Sequence, residues 1–275
     1  MSTSVNTNVG ALVALQNLNA TTAQLAQVQG RISTGLKVGS AKDDGAIWAI
    51  AQNQRATASS LDAVKDSLNR ASSVTDVALA AGSQVSDLLT QMQQKALSAS
   101  DTSLDTASRN ALNTDFISLR NQITQVVNNA SFNGINLIKN GATNVAALAN
   151  SAGSSVLTVV AQDLSVGGAN VTVAATGTIG TVTQASNMIA TVQTSINNVS
   201  AALAKLGTAS KSVASQLTFV GKLQDTITAG VGNLVDADLA KESAQLQALQ
   251  TKQQLGIQAL SIANSASSSL LGLFR

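Results

Sequence analysis

"IATVQTSINNVSAALAKLGTASKSVASQLTFVGKLQDTITAGVGNL", residues 189–234, decides the fold. Alternating steps of three and four residues pick out Ile189, Val192, Ile196, Val199, Leu203, Leu206, Ser210, Val213, Leu217, Val220, Gln224, Ile227, Val231 and Leu234. Twelve of these fourteen positions are apolar. A heptad spacing sustained this far predicts one long helix packed in coiled-coil fashion. At ~1.5 Å per residue it extends for roughly 70 Å, a length a compact globule rarely needs.

A matching stripe lies upstream, at Leu61, Val64, Leu68, Ala71, Val74, Ala78, Ala81, Val85, Leu88 and Met92. A shorter one follows at Leu112, Phe116, Leu119, Ile123 and Val126, with Asp105 or Thr106 placed to start its helix. Three such helices bury their stripes against one another at small crossing angles. The expected core therefore includes Leu61, Leu68, Val85, Phe116, Leu119, Ile196, Leu203 and Leu217. Residues 141–185 differ in character. "VLTVV", "NVTVAAT" and the Gly-Gly of "VGGANV" predict one or two β-hairpins, a disordered loop being the rival reading. The fold class expected is mainly α: a long antiparallel coiled-coil bundle with a small β-hairpin element in mid-chain.

The chain ends are amphipathic too. Leu12, Leu18, Leu25, Val28 and Ile32 mark the first; Leu239, Leu246, Leu249 and Leu260 mark the last, with Leu255 and Ile262 in a second row. A helix with apolar rows on more than one face needs several neighbours. The chain offers each end only the other, so the remaining neighbours are expected to be other molecules. The ends are expected to be poorly ordered in a free monomer and to fold on assembly.

Composition removes several function classes. Proline, cysteine, histidine and tyrosine are absent from the 275 residues, and Glu242 is the only glutamate. Without Cys or His there is no ordinary zinc site and no Ser/His/Asp or Cys/His relay. No disulfide can form. The net charge is +2 with no run of Lys/Arg and 2% aromatics, which argues against a nucleic-acid groove. No stretch is apolar enough to span a membrane. "MSTSVNTNVGALVALQNLN" lacks the basic and apolar regions of a cleaved secretory signal. Missing proline permits long helices, since proline breaks the helical ladder.

"RISTGLKVGSAKDDGAIWAI", residues 31–50, invites three readings. As a phosphate loop it fails: Gly35 and Gly39 are too close, and Gly39 is followed by Ser40. As an acid/base or metal pair, Asp43 and Asp44 lack further ligands nearby. The favoured reading is a joint, in which Gly35 ends the terminal helix, Gly39 lies in the turn, and Asp43 or Asp44 caps the next helix ahead of Trp48.

The same stretch resembles the N-terminal signature of bacterial flagellins. "SFNGINLI" (131–138) and the closing "LAKESAQLQALQTKQQLGIQALSIANSASSSLLGLFR" resemble the family as well, in the family's order. The similarity covers about 1–140 and 186–275. Trp48, "LTFVGKLQD" (217–225) and the short middle are similar to the short, two-domain alphaproteobacterial, Caulobacter-like type. The resemblance implies a D0 layer from 1–40 and 236–275, in which the ends pair and self-assemble. It implies a D1 layer with N-terminal helices in 41–140, a β element or variable region in 141–185 and a C-terminal helix in 186–235.

What the resemblance implies about function is a subunit polymerising into the flagellar filament for swimming, extracellular and exported by the type III apparatus without signal cleavage. The implied partners are further copies, paralogous flagellins, an export chaperone that holds about 236–275, and junction and cap proteins. No cofactor, nucleic acid or membrane is expected. The family's immune-receptor patch falls on "LTQMQQKAL" (89–97), where Gln91, Gln93, Gln94 and Lys95 replace its arginines and Glu-Leu pair, so weak recognition is expected. Thr158, Ser165, Thr172, Thr176 and Thr178 are candidate O-glycan acceptors, or simply β-strand hydroxyls. A hook–filament junction protein is the nearer alternative. A membrane-active amphipathic protein is the more distant one, and its prior is lowered by polar faces rich in Gln, Asn, Ser and Thr rather than Lys. An enzymatic insert of the H-E-x-x-H kind is closed by the lack of histidine.

Overall fold

A computed structural model describes residues 7–273, with side chains described up to 265. Five helices and one hairpin follow in order: α1 (Val9–Thr34), α2 (Gly45–Ala99), α3 (Thr106–Asn129), β1 (Val145–Leu148), β2 (Val156–Val159), α4 (Val182–Val235) and α5 (Leu239–Leu273). The chain divides into two compact units, 1–56 with 226–275, and 57–225. The first unit thus includes 41–56 and 226–235, which the sequence reading grouped with the long helices. The reason is local: Val38, Ala51, Val231 and Val235 form one buried cluster.

In the unit 57–225, the α2 stripe is buried as the heptad spacing dictates. Leu61, Val64, Leu68, Ala71, Val74, Ala78, Val85, Leu88 and Met92 are all core residues. On α3, Phe116, Leu119 and Ile123 are buried as well, but Val127 takes the place expected for Val126. Each fully buried side chain of this size contributes about 1.5–3 kcal/mol relative to exposure. On α4 the buried residues of this unit are Ala185, Val192, Ser195, Val199, Ala202, Leu206, Val213 and Val220. Ile196, Leu203 and Leu217, expected in the core, are only half-buried. They form the row flanking the seam, where neighbours cover one side of each. Leu203 nestles where α2 has Gly82: a Cβ there would lie 2.5 Å from Leu203 Cδ2 and 3.2 Å from Leu164 Cδ1.

Helix starts and stops follow local chemistry. Asp105 caps α3 by accepting from Ser108 N–H at 2.8 Å. The turn between α2 and α3 is held by Arg109, which is buried. Its Nε donates to Ala99 O at 2.9 Å, and its Nη2 donates to Asp101 O at 2.8 Å and Leu104 O at 3.1 Å. A guanidinium here both satisfies carbonyls left over at the end of α2 and offsets the negative end of its dipole.

The mid-chain segment forms a single hairpin, with Val145 opposite Val159 and Leu148 opposite Val156. "NVTVAAT" is not a strand. Its Val171 and Val173 are buried, yet Thr172 N–H donates to Ser195 Oγ at 3.0 Å instead of to a neighbouring strand. Branched residues bury equally well in irregular chain once a helix side chain satisfies the backbone. The hairpin is latched in the same way: Leu148 N–H donates to Ser67 Oγ at 3.0 Å and Gln216 Nε2 to Ala149 O at 2.9 Å. Many helical hydroxyls bond back to their own helix, as Thr194 does to Ala190 O at 2.9 Å and Ser200 to Ile196 O at 2.8 Å. Among the described residues no helix is long and apolar enough to cross a membrane, and no group of metal-ligating side chains is present.

Replacing Arg109 with alanine leaves three carbonyls at the α2–α3 turn without their donor. We expect a loss of about 3 kcal/mol, the scale of charge-assisted hydrogen bonds and an unsatisfied buried acceptor together. Lysine should rescue little, because one ammonium cannot span the carbonyls as the planar fork does. Chemical denaturation of the three proteins measures this. A loss under about 0.5 kcal/mol for the alanine variant would remove Arg109 from this role.

Candidate assembly faces and the joint beneath them

In the unit formed by the chain ends, α1 and α5 pack antiparallel. Asn8 Nδ2 donates to Ala263 O at 2.7 Å, a Cβ on Gly256 would lie 3.3 Å from Leu18 Cδ1, and Arg31 Nη1 lies 3.2 Å from Glu242 Oε1. The inward positions on α1 are Ala11, Ala14, Leu18, Thr21, Leu25, Val28 and Ile32. On α5 they are Glu242, Leu246, Leu249, Gln253, Gly256, Leu260 and Ala263. Both sets step by three and four residues, the signature of a coiled-coil seam.

The seam shelters little. Val28 and Leu249 are buried, at 3% and 4% exposure, while Leu18, Leu25, Ile32, Leu246 and Leu260 are half-buried. Leu12, Leu255 and Ile262 stand in solvent at 57%, 58% and 69%. Val9, Val13, Leu15 and Ile257 are exposed beside them, and the sequence reading did not single these out. Their signal was present as apolar residues adjacent to the seam rows, which a search for one stripe passes over. Side chains of the closing helix beyond residue 265 lie outside the described residues.

The joint is built from backbone. Gly35 has φ +70° and its N–H donates to Arg31 O at 2.8 Å, closing α1 in the left-handed conformation that glycine adopts without strain. Val235 O then accepts from Lys37 N–H at 2.7 Å and Val38 N–H at 3.2 Å, and Gly35 O accepts from Ala237 N–H at 2.9 Å. The two acidic residues divide the work. Asp43 Oδ2 accepts from Gly39 N–H at 3.2 Å, Ser40 N–H at 2.9 Å and Ser40 Oγ at 3.0 Å. Asp44 Oδ1 accepts from Ala46 and Ile47 N–H, both at 3.0 Å, and so caps α2. Trp48 packs on the Val38–Ala51–Val231–Val235 cluster. The hydrogen bonds of these two carboxylates go to the loop at 39–40 and to the first turn of α2, so they serve the joint.

One electrostatic feature in this unit is only half made. Arg31 and Glu242 share a single hydrogen bond, while Arg31 Nε and Glu242 Oε2 are buried without partners. A buried pair joined this loosely does not repay its desolvation in full. Glu242 is the more deeply buried partner, and Arg31 the half-exposed one.

The remaining expected sites lie in the unit 57–225. Gln93 Nε2 donates to Gln193 Oε1 at 2.6 Å and Lys95 pairs with Asp115 at 2.7 Å, while Gln91 and Gln94 are exposed. Thr158 and Thr176 are exposed and Thr178 is half-buried. The Thr172 hydroxyl reaches Ser195 Oγ at 3.0 Å, and the Ser165 hydroxyl donates to Asp163 Oδ1.

Very long helices, paired ends that keep apolar rows in water, and Asp43, Asp44 and Asp105 serving caps and turns are what a structural subunit presents. The comparisons agree. Residues 5–143 match the family model for the bacterial flagellin N-terminal helical region, and residues 189–274 match that for the C-terminal helical region. Flagellin FljM of Caulobacter vibrioides is 61% identical over 99% of this chain and 98% of its own length. Flagellin FljJ of the same organism is 43% identical over 100% and 99%. A flagellin of Brucella melitensis is 39% identical over 99% of each chain. The chain belongs to the bacterial flagellin family, and it is a structural subunit of the flagellar filament.

The joint carries an acid dependence. The Ser40 hydroxyl, then the Ser40 and Gly39 amides and the charge of Arg31, hold the Asp43 carboxyl below its ordinary value of 3.8. A lowered folded value means the stabilisation is present above 3.8 and is lost as pH falls through the folded value. The wild type should therefore lose stability as pH falls below 3.8. Asp43→Asn should start less stable and lose less over that window. Denaturation midpoints at pH 7, 4 and 2 test this; parallel losses in both proteins would exclude Asp43 as a contributor.

Proposed function

We propose that the α1–α5 pair is the inner assembly element of the filament, and that its unsheltered rows bury against further copies of the chain. The observation that carries this is the exposure of Leu12, Leu255 and Ile262 beside a seam that, among its described apolar residues, fully buries only Val28 and Leu249. Burying two such side chains yields about 3–6 kcal/mol. Ordering the backbone of a 26-residue and a 35-residue helix opposes it at roughly 1–2 kcal/mol per residue. Helical hydrogen bonds recover much of that cost, and most helical stability in proteins comes from packing an apolar face. Added apolar contacts from neighbouring copies tip the balance, so ordering of the ends is coupled to polymerisation.

In this reading 1–40 and 236–275 form the inner layer, and 41–140, 141–185 and 186–235 form the layer outside it. The subunit leaves the cell through the flagellar type III apparatus with a chaperone on 236–275, and meets junction, cap and paralogous subunits at the filament. Absence of cysteine suits passage through a narrow channel without cross-linking. With glutamines in the receptor patch, immune recognition is weak. Thr158 and Thr176 are the acceptors best placed for an O-linked sugar, to be read from the intact mass of filaments.

The variant Leu255→Ser/Ile262→Ser should fail to polymerise at concentrations where the wild type forms filaments by electron microscopy. Because both side chains are exposed, its unfolding free energy should stay within about 0.5 kcal/mol of wild type. Filaments from the variant at the wild-type critical concentration would overturn the assignment of these rows.

A further inference from the structure

Asparagines outside the helices are mostly tied. Asn8 donates to Ala263 O and caps α1, and buried Asn136 donates to Val127 O. Asn144 accepts from Ala161 N–H, Asn150 bonds Ser154 and Ser155, and Asn170 donates to Asp163 O. Asn133 and Asn140 differ: both are exposed, and neither side-chain amide makes a hydrogen bond among the described residues. Each is followed by glycine, and no other Asn-Gly pair occurs in the sequence. The N–H groups of Gly134 and Gly141 are also without partners among the described residues. A Cβ on either glycine would meet nothing within 4 Å, so both turns stand clear of the rest of the fold.

An asparagine before glycine can react with its own backbone. The glycine nitrogen, having lost its proton to hydroxide, attacks the asparagine Cγ. A C–N bond forms and completes a cyclic imide. The Cγ–Nδ2 bond breaks, and ammonia leaves with a proton from water. A water molecule then adds to either imide carbonyl and reopens the ring, leaving aspartate or its β-linked isomer, isoaspartate. Hydroxide and water are the only co-reactants. Glycine favours the attack because it has no Cβ to obstruct its nitrogen. A helical asparagine is slower to react, because the ladder holds the next N–H in place.

The two turns are held unequally. Phe132 N–H donates to Ile135 O at 2.9 Å and Ile135 N–H to Phe132 O at 3.0 Å. Between them Asn133 and Gly134 have φ +50° and +78°, the pair of positive values this tight turn requires. Swinging the Gly134 nitrogen onto Asn133 Cγ breaks both bonds. At 139–142 one longer bond closes the turn, Ala142 N–H to Lys139 O at 3.2 Å, with Gly141 at φ +69°. The anchors lie outside it: Ile138 O accepts from Leu164 N–H at 2.8 Å, and Asn144 Oδ1 from Ala161 N–H at 3.0 Å. The turn can open between them without disturbing the hairpin that follows. We propose that Asn140 is a self-modification site, converting to aspartate and isoaspartate in the folded subunit while the closed turn protects Asn133. One extra backbone hydrogen bond to break slows ring closure roughly fivefold. Each event places a carboxylate beside Lys139 and lowers the formal net charge of +2 by one unit. The extent of conversion therefore grows with the age of the subunit.

The test uses the full-length protein in mildly alkaline buffer, folded and in urea, sampled over days. Trypsin cuts after Lys139 and so leaves Asn133 and Asn140 on different peptides. Fragmentation that distinguishes aspartate from isoaspartate locates the product. The rates in urea calibrate the intrinsic reactivity of each asparagine. In the folded protein the ratio of the Asn140 rate to the Asn133 rate should exceed the ratio in urea by roughly fivefold. Asn140→Gln should remove the main acidic species that builds up on isoelectric focusing, with circular dichroism unchanged. Asn133→Gln should leave that species in place. A folded ratio no greater than the ratio in urea overturns the proposal. So does an Asn140 that stays intact in the folded protein while it converts in urea, or an acidic species that persists in Asn140→Gln at the wild-type rate.

Discussion

The terminal unit depends on a tie between two crossovers that are far apart in sequence. Gly35–Val38 and Val235–Ala237 are joined by backbone hydrogen bonds, three of them involving Val235 O or Gly35 O. Because these are main-chain groups, the tie sets position without regard to most side chains. It places the end of α1 against the start of α5, and from there the seam runs outward in register. The Arg31–Glu242 pair sits at the start of that seam. Glycine at 35 is the residue the tie cannot exchange freely, since the chain must turn with positive φ before Val235 O can be reached.

The long helices were legible because their evidence is repeated many times. Nine of the ten α2 stripe positions are buried, and no single exception could have changed the reading. On α4 the same periodicity was visible but not its weighting. The sequence shows two apolar rows, and only packing tells which row faces the core and which lies at its edge, where Ile196, Leu203 and Leu217 are. The mid-chain segment shows the limit of residue preference. Val156–Val159 became a strand and Val171–Val173 did not; there Thr172 N–H is met by the hydroxyl of Ser195, on a helix more than twenty residues further along the chain.

The same distinction separates the functional features. Asp44 and Gly35 act on neighbours within a few residues, so motif reading could place a cap and a stop. Arg109 acts on carbonyls from a preceding turn, and nothing in its local sequence marks it as buried. The contrast between Asn133 and Asn140 was hidden for the opposite reason. The sequence shows each before a glycine and so presents them as alike. Only the finished packing closes one turn with two backbone hydrogen bonds and the other with one.

The back-bonded hydroxyls bear on how the polymer meets its surroundings. Thr21, Thr114, Thr194, Ser200 and Thr251 each return their proton to a carbonyl of their own helix. Charged residues are 11% of the chain. Dissolved ions act by screening charge, and here there is little charge to screen. Within the subunit, added salt therefore has few charges to act on, while apolar burial strengthens or weakens with the kind of salt present.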